Sequence, residues 1–556
     1  MLHESTSPPG SFVARTAALS AALAAIAVGL ACASLATERQ TPDDELIVLV
    51  PDEIRNLDPR FAITNYDTKV SRLVAPGLMT IDQPSLEPEP ALAESIEEVD
   101  EVTWDVVLRE DARFSDGSPV RAEDVAYTIE STLDPDTGSL YRQGFLDRFE
   151  SVEVLGPQRA RLHLAQPIAT LFSDLDFGIV KEPDSRAEIP PLPTEPSAAA
   201  LAAWMQAYLD VARVSPAARG PVIGAGPYRV VEHRRDRVLL EKNPYYHGEP
   251  GRMKRIELRT VEDANARTLM LVGGSADLTQ NTVRMDLVSQ VERQDRLELQ
   301  TGPGAVLSFL IMHNDHEALS DVRVRRAIAH AIDRERIIDA KYDGRAERAT
   351  GLMPSEHWAY NGDVERYDYD PGRAAELLDE AGFPDPGDGS PRLSLRYRTS
   401  ANPFQVAVSR IIASQLGEVG IDVDVRAFEF HTFLEDVKQG SFDLASMGTA
   451  PITEPDYSYE YFHSARIPDE DDPDSNNRSR YRNERVDELA EAGRQEMDRD
   501  RRIEIYAEMQ EILARDVPVV PLWHADNVVV RNVDVKGYEL LPTARFHGLA
   551  SAEKAR

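Results

Sequence analysis

Cysteine is almost missing from this chain. Its 556 residues hold one, Cys32, so no disulfide can form within the molecule and stability must come from packing. Positive charge is scarce too. There are 61 Lys and Arg against 96 Asp and Glu, a formal net charge of −35. Phosphate binding needs basic patches, so nucleic acid is not expected as a partner. Long apolar runs are also rare. Only Ala17–Ala31, broken by Ser20, stands out. At about 15 residues it falls short of the ~20 that a spanning helix needs and has the length of a signal-peptide core. Catalytic signatures are absent: there is no G-x-S-x-G, H-E-x-x-H, phosphate loop or C-x-x-C. The 12 histidines are scattered, without a ligand pair at helical spacing. "GAGPY" at Gly224 lacks the spacing and following helix of a dinucleotide fingerprint. "PDEDDPDSNN" (Pro468–Asn477) lacks the spaced acids and turn glycine of a calcium loop and reads as a solvated loop. No metal or cofactor is expected. With no nucleophile–base set, the pattern suits a binding protein rather than an enzyme.

The single cysteine closes the apolar run. Arg15 precedes that run, and Glu38 is the first acid after it. "Leu30-Ala31-Cys32" resembles a lipoprotein box, with Cys32 acylated as the new N-terminus, although Gly29 stands where such boxes usually carry leucine. Ala31-Cys32-Ala33 is also an A-x-A site for ordinary signal peptidase, and a buried cysteine in a structural helix is the third alternative. The first predicts residues 1–32 as a signal peptide and 33–44 as a polar tether.

Beyond the tether, strands and helices alternate. "ELIVLV" (Glu45–Val50) reads as a buried strand. "VTWDVVL" places Trp104, Val106 and Leu108 on one face. "RARLHL" places Ala160, Leu162 and Leu164 opposite Arg159, Arg161 and His163, a strand half in water. Gly226–Tyr246 is a hairpin candidate. Asp321 can cap a helix whose Val324, Ala327, Ile328, Ala331 and Ile332 form one stripe. Tyr506, Met509, Ile512 and Leu513 make another, with Asp498 or Asp500 near its start. "VPVVPLW" (Val517–Trp523) carries two prolines and reads as an edge strand or extended segment. The class is α/β. Residues 183–221 are a Pro-rich loop leading into a helix after Ser197, a local elaboration.

"FSDGSPVRAEDVAYTIESTLDP" (Phe114–Pro135) resembles the signature of the extracellular solute-binding proteins of family 5, the peptide- and nickel-binding components of ABC importers. The resemblance continues through "GAGPYRVVEH", "SDVRVRRAIAHAIDRERI", "YDYDPGRAAELLDEAGF" and "VDELAEAGRQEMDRDRRIEIYAEMQEILARDVPVVPLW". In the family's order it covers Glu45 to about Tyr538. It implies a two-lobed periplasmic-binding-protein type II clamp. The first lobe would combine 45–81, 184–303 and 517–550. A small extra domain would take 82–183 and the second lobe 304–516. The chain would cross between lobes near Gly302–Gly304 and near Asp516–Pro518. The resemblance also implies an exported monomer on a lipid anchor, working with a permease and an ATPase. A solute-sensing receptor or chaperone-like protein on the same scaffold is the alternative.

Site residues follow only from matched positions. In peptide-binding members an aspartate after a tryptophan–glycine pair holds the peptide's ammonium. Here Pro451 takes that place, and Met447-Gly448-Thr449 stands for the tryptophan neighbourhood. Gly448 and Thr449 are therefore candidates, with Glu454 or Asp456 as a substitute carboxylate. Glu53, Ile54 and Arg55 follow the first strand; Gln280 and Asn281 lie in "LTQN". Phe309 and Ile311 share a face of the strand entering the second lobe, and Trp523 and His524 complete the set.

Overall fold

The computed structural model describes residues 40–81, 85–183, 222–283, 287–288, 291–470 and 472–555. Cys32, most of the tether and residues 184–221 lie outside the described residues. So does residue 471 of the acidic loop.

The apolar run Glu45–Val50 is a central strand, buried except at its first residue, as expected of a strand covered on both faces. It pairs in parallel with Arg255–Thr260 and Leu278–Gln280. These lie in a seven-stranded sheet with Arg237–Lys242 and Tyr228–Arg234 on one side, and Asn527–Asn532 and Leu297–Gly302 on the other. The hairpin expected at Gly226–Tyr246 is the outer pair of this first-lobe sheet. A second sheet has six strands, in the order Ala346–Arg348, Val519–Ala525, Leu307–Met312, Leu444–Gly448, Leu393–Ser400 and Ile421–Phe428. A third, four-stranded antiparallel sheet contains the half-wet strand Arg159–Leu164 beside Thr103–Leu108, which is buried except at Val107, and carries its own apolar core.

The helix Val322–Ala331 is capped as anticipated: the Asp321 side chain accepts from the Arg323 amide. Its stripe of Val324, Ala327, Ile328 and Ala331 is wholly buried. Asp498 caps Arg499–Asp516, whose Tyr506, Met509 and Ile512 face the core.

One boundary moves. Val519–Ala525 is an inner strand of the second sheet, paired with Leu307–Met312 on one side and Ala346–Arg348 on the other. Segment 517–525 therefore does not open the first-lobe return, and the second crossing falls at Asp526 rather than at 516–518. Prolines made this segment look like an edge. Ala346–Arg348 pairs only with Trp523–Ala525 and stops short of Pro521, so the missing proline N–H leaves no gap in that ladder.

The two crossings run side by side. Gly304 passes so close to Ala525 that an added Cβ would sit 2.1 Å from its carbonyl oxygen. Asn527 Nδ2 donates to the carbonyls of Leu541 and Pro542, both at 3.0 Å, and to Pro303 at 3.3 Å.

Candidate functional site

Several of the candidate residues lie at the ends of the two sheets where the crossings leave them. At the first-lobe end, the loop after Glu45–Val50 carries Glu53, Ile54 and Arg55. Glu53 lies near Arg55 and Arg235 at 3.5 and 3.6 Å. Ile54 is buried, and its carbonyl hydrogen-bonds His233 Nε2 at 2.8 Å. The Arg55 amide donates to Asp67, while its guanidinium reaches solvent.

Gln280 and Asn281 are fully engaged by the protein. Gln280 Nε2 donates to the Ala544 carbonyl at 2.6 Å, and its Oε1 accepts from the Tyr538 hydroxyl. Asn281 adopts a left-handed φ of 56°, its side-chain oxygen accepts from the Val528 amide, and its Nδ2 donates to Asn527 Oδ1. These bonds make it a tie on the returning strand beside the crossing. Asparagine tolerates that conformation better than most residues.

At the second-lobe end, Thr449 Oγ1 accepts from the Leu307 amide at 3.0 Å, pinning the entering strand. Gly448 is exposed at the end of its strand, opposite Ser308. Phe309 meets the Tyr461 ring edge-on at 5.9 Å, whereas Ile311 is core. Trp523 packs in the core with Tyr342, donating to its hydroxyl at 2.9 Å. His524 is buried, and desolvation lowers its pKa to about 4.

The two substitute carboxylates are also occupied. Glu454 accepts from Ser173 Oγ at 2.6 Å and pairs with Arg502 at 3.1 Å. Asp456 pairs with Arg494 at 3.0 Å, and Arg148 also favours its charge. Burial pushes both acids up in pKa, and their arginines oppose this. Ser173 and Arg148 belong to the small-domain side. Alongside them the Ala169 amide donates to the Arg494 carbonyl at 2.8 Å. Glu454 and Asp456 therefore join the small domain to the second lobe rather than present open carboxylates. Residue spacing alone gives no sign of these arginine partners: Arg502 shares the buried face of its helix with Tyr506 and Met509, and Arg494 stands in the last turn of the helix before it.

No helix of the described residues is long and apolar enough to cross a membrane, and no cluster of three or more metal-ligating side chains occurs among them. In the acidic loop Asp472 pairs with Arg466 and Asp474 with Lys438.

Two sheets joined by adjacent crossings define a two-lobed α/β clamp. Residues 87–468 match the middle segment of the bacterial extracellular solute-binding proteins, family 5, and the chain belongs to that family. It is 25% identical over 476 residues to di/tripeptide-binding protein 3 of Pseudomonas aeruginosa, covering 83% of this chain and 86% of that one. It is 25% identical over 532 residues to the glutathione-binding protein GsiB of Escherichia coli O157:H7, covering 94% and 96%. A further match, to a dipeptide-binding protein of Pseudomonas aeruginosa, spans 61% of that protein's length. Among solved structures, NikZ of Campylobacter jejuni in complex with Ni(L-His) superposes with a TM-score of 0.74 at 24% identity, over 92% of this chain and 100% of that one. The substrate-binding protein CtaP of Listeria monocytogenes gives 0.77 at 23%, over 93% and 100%.

Proposed function

We propose that the protein captures a peptide or related small solute between its lobes and delivers it to the permease and ATPase of an ABC importer. The observation that carries this is the pair of adjacent crossings at 303–306 and Asp526, a hinge about which two lobes can close. Family membership and the named ligands of the relatives support it. The protein acts as a monomer, and no catalytic step is assigned to it. Native mass spectrometry of protein purified from its host should show a retained solute. After that solute is stripped by unfolding and refolding, adding it back should reduce the radius of gyration in small-angle scattering. It should also raise stability by roughly 2.7 kcal/mol at a hundredfold excess over Kd. An unchanged radius at saturation would count against a hinged clamp.

We further infer that Cys32 is acylated and holds the protein at a membrane. The support is its place after the apolar run, with Ala31 before it and a polar tether behind. Two or more acyl chains give stable attachment where one does not. Cys32→Ala should move the protein from the membrane fraction to the soluble fraction. A wild-type protein that is already soluble, with Ser34 as its first residue, would refute the anchor.

A further inference from the structure

Glu454 and Asp456 are both paired with arginines, and Arg478 lies in the same lobe, beside Met447. Most arginines around this loop have an oxygen partner. Arg466 pairs with Asp472, Arg482 with Asp315, Arg485 with Glu508 and Arg494 with Asp456, and Arg480 donates to the Lys438 carbonyl. Arg478 has none. Its Nη1 points at Met447 Sδ, 3.3 Å away, and a thioether is a weak acceptor. Its Nε is buried without a partner. Desolvation lowers its pKa, with only Tyr461 and Asp474 acting the other way and neither forming an ion pair with it. Arg267, Arg325 and Arg334 also lack a carboxylate but donate to backbone carbonyls, whereas Arg478 has no oxygen partner among the described residues to offset its desolvation.

The arginine is also held in place. Asn477, fully buried, donates to the carbonyls of His463 and Tyr481 and accepts from Ser479 Oγ. The Ser479 carbonyl accepts from Asn314. The residues on both sides are thus locked, so the side chain leaves a rigid loop. It runs to the end of strand Leu444–Gly448, where Met447 lies opposite Phe309 and one residue before exposed Gly448. Tyr461 stands against Phe309, and its hydroxyl makes no hydrogen bond among the described residues.

We propose that Arg478, with the Tyr461 hydroxyl beside it, is an anion-holding subsite of the cleft, and that the captured solute carries a carboxylate seated there. The planar guanidinium can meet a carboxylate through two parallel hydrogen bonds, and Tyr461 adds a third donor. Phe309 and Met447 supply apolar surface for the part of the solute next to that acid. Because Glu454 and Asp456 are already paired with arginines, the solute's affinity depends on its acid and not on a free amine. This rests on the solute-capture function proposed above.

The test uses trialanine, N-acetyl-trialanine and trialanine amide as calorimetric probes of the full chain. The expected result is that the first two bind within about threefold of each other and the amide about a hundredfold more weakly. Arg478→Gln should shrink the acid-to-amide ratio below about threefold. Equal binding of acid and amide to the wild type overturns the subsite and needs no variant to fold. So does a ratio that survives Arg478→Gln in protein whose circular dichroism is unchanged. If none of the three peptides binds, native mass spectrometry of wild type and variant from the same host decides. A retained acidic solute that is lost from the variant supports the subsite. A retained neutral or cationic solute, or an acidic one kept by the variant, overturns the subsite and leaves solute capture standing. No retained solute and no peptide binding removes solute capture itself, and the subsite with it.

Discussion

Glu454 and Arg478 belong to the same lobe, and both lie close to the aromatic helix Tyr457–Phe462, yet their charges are treated in opposite ways. Glu454 is buried, paired and bound to the small domain through Ser173. Arg478 is half-buried and faces a sulfur atom. The first is a structural charge, whose removal leaves a counter-ion stranded. The second is a charge with no oxygen partner among the described residues. Both positions hold ionisable residues near a cleft, and only the partners tell them apart. Four measurements can break or sharpen that contrast.

The largest effect is expected at the paired site. Glu454→Ala removes the only carboxylate paired with Arg502 among the described residues, leaving an 8% exposed guanidinium that stacks on Trp358 and Tyr506 and donates to the Gly493 and Ala169 carbonyls. Breaking a buried pair from one side costs about 3–5 kcal/mol. Urea unfolding should show a loss of that size, with the small-domain contact at Ser173 lost as well. A loss below about 1 kcal/mol would mean that Glu454 is not the structural charge described here.

The same region should sense acid. His357 packs beneath this cluster, and burial, followed by Arg502 and Arg499, lowers its pKa to about 4. The unfolded chain titrates near 6.5, so between those values it binds a proton that the folded form refuses. Stability from this source is fully present above about pH 6.5. It falls by up to about 3 kcal/mol as pH drops towards 4. Comparing wild type and His357→Gln by unfolding from pH 7 to 4.5 should show a flatter profile in the variant. Identical slopes would remove His357 as the cause.

How much of this was legible in the sequence differs between the elements and the site. The helix at Val322 could be read from its stripe and cap, because both signals are local. The central strand could be read because a short, continuously apolar run fits a doubly covered sheet. The inner place of Val519–Ala525 is not legible, because Pro521 suggests an edge. Its tolerance inside the sheet depends on where strand Ala346–Arg348 stops, and that strand lies more than 170 residues earlier. Gln280 and Asn281 are candidates only through positions matched to the family, whereas their bonds to Tyr538, Ala544 and Asn527 hold the first lobe and its returning strand together. The charges were the least legible part. Arg478 sits among several arginines in one short stretch, and nothing local marks it as the one left without an oxygen. Pairing is settled by tertiary contacts, and a single sequence does not state them.

A smaller effect is expected at the hinge. Asn527→Ala removes donors to the Leu541 and Pro542 carbonyls and to Pro303, and frees Asn281 Nδ2. Leaving buried polar groups unpaired costs about 1–3 kcal/mol. The loss should appear in urea unfolding. A larger radius of gyration in the solute-free protein should accompany it, because the bonds hold the two crossings together. A stability loss with no change in radius would assign Asn527 to the first lobe alone.

The smallest effect on the empty protein is expected at Arg478 itself. A well-paired residue there would give a loss like that at Glu454 when cut back. A guanidinium with no oxygen partner contributes little beyond its packed stem, and removing it relieves desolvation of the charge. Arg478→Met keeps the stem length and replaces the cation with an apolar end beside Met447 and Tyr461. Its solute-free stability should stay within about 1 kcal/mol of wild type, on either side. Urea unfolding of stripped protein is the measurement. A loss of several kcal/mol would show that Arg478 supports the fold, and the two regions would then differ only in which partners they use. Little or no loss, combined with the loss of acid selectivity described above, would leave Arg478 as a charge kept for the solute.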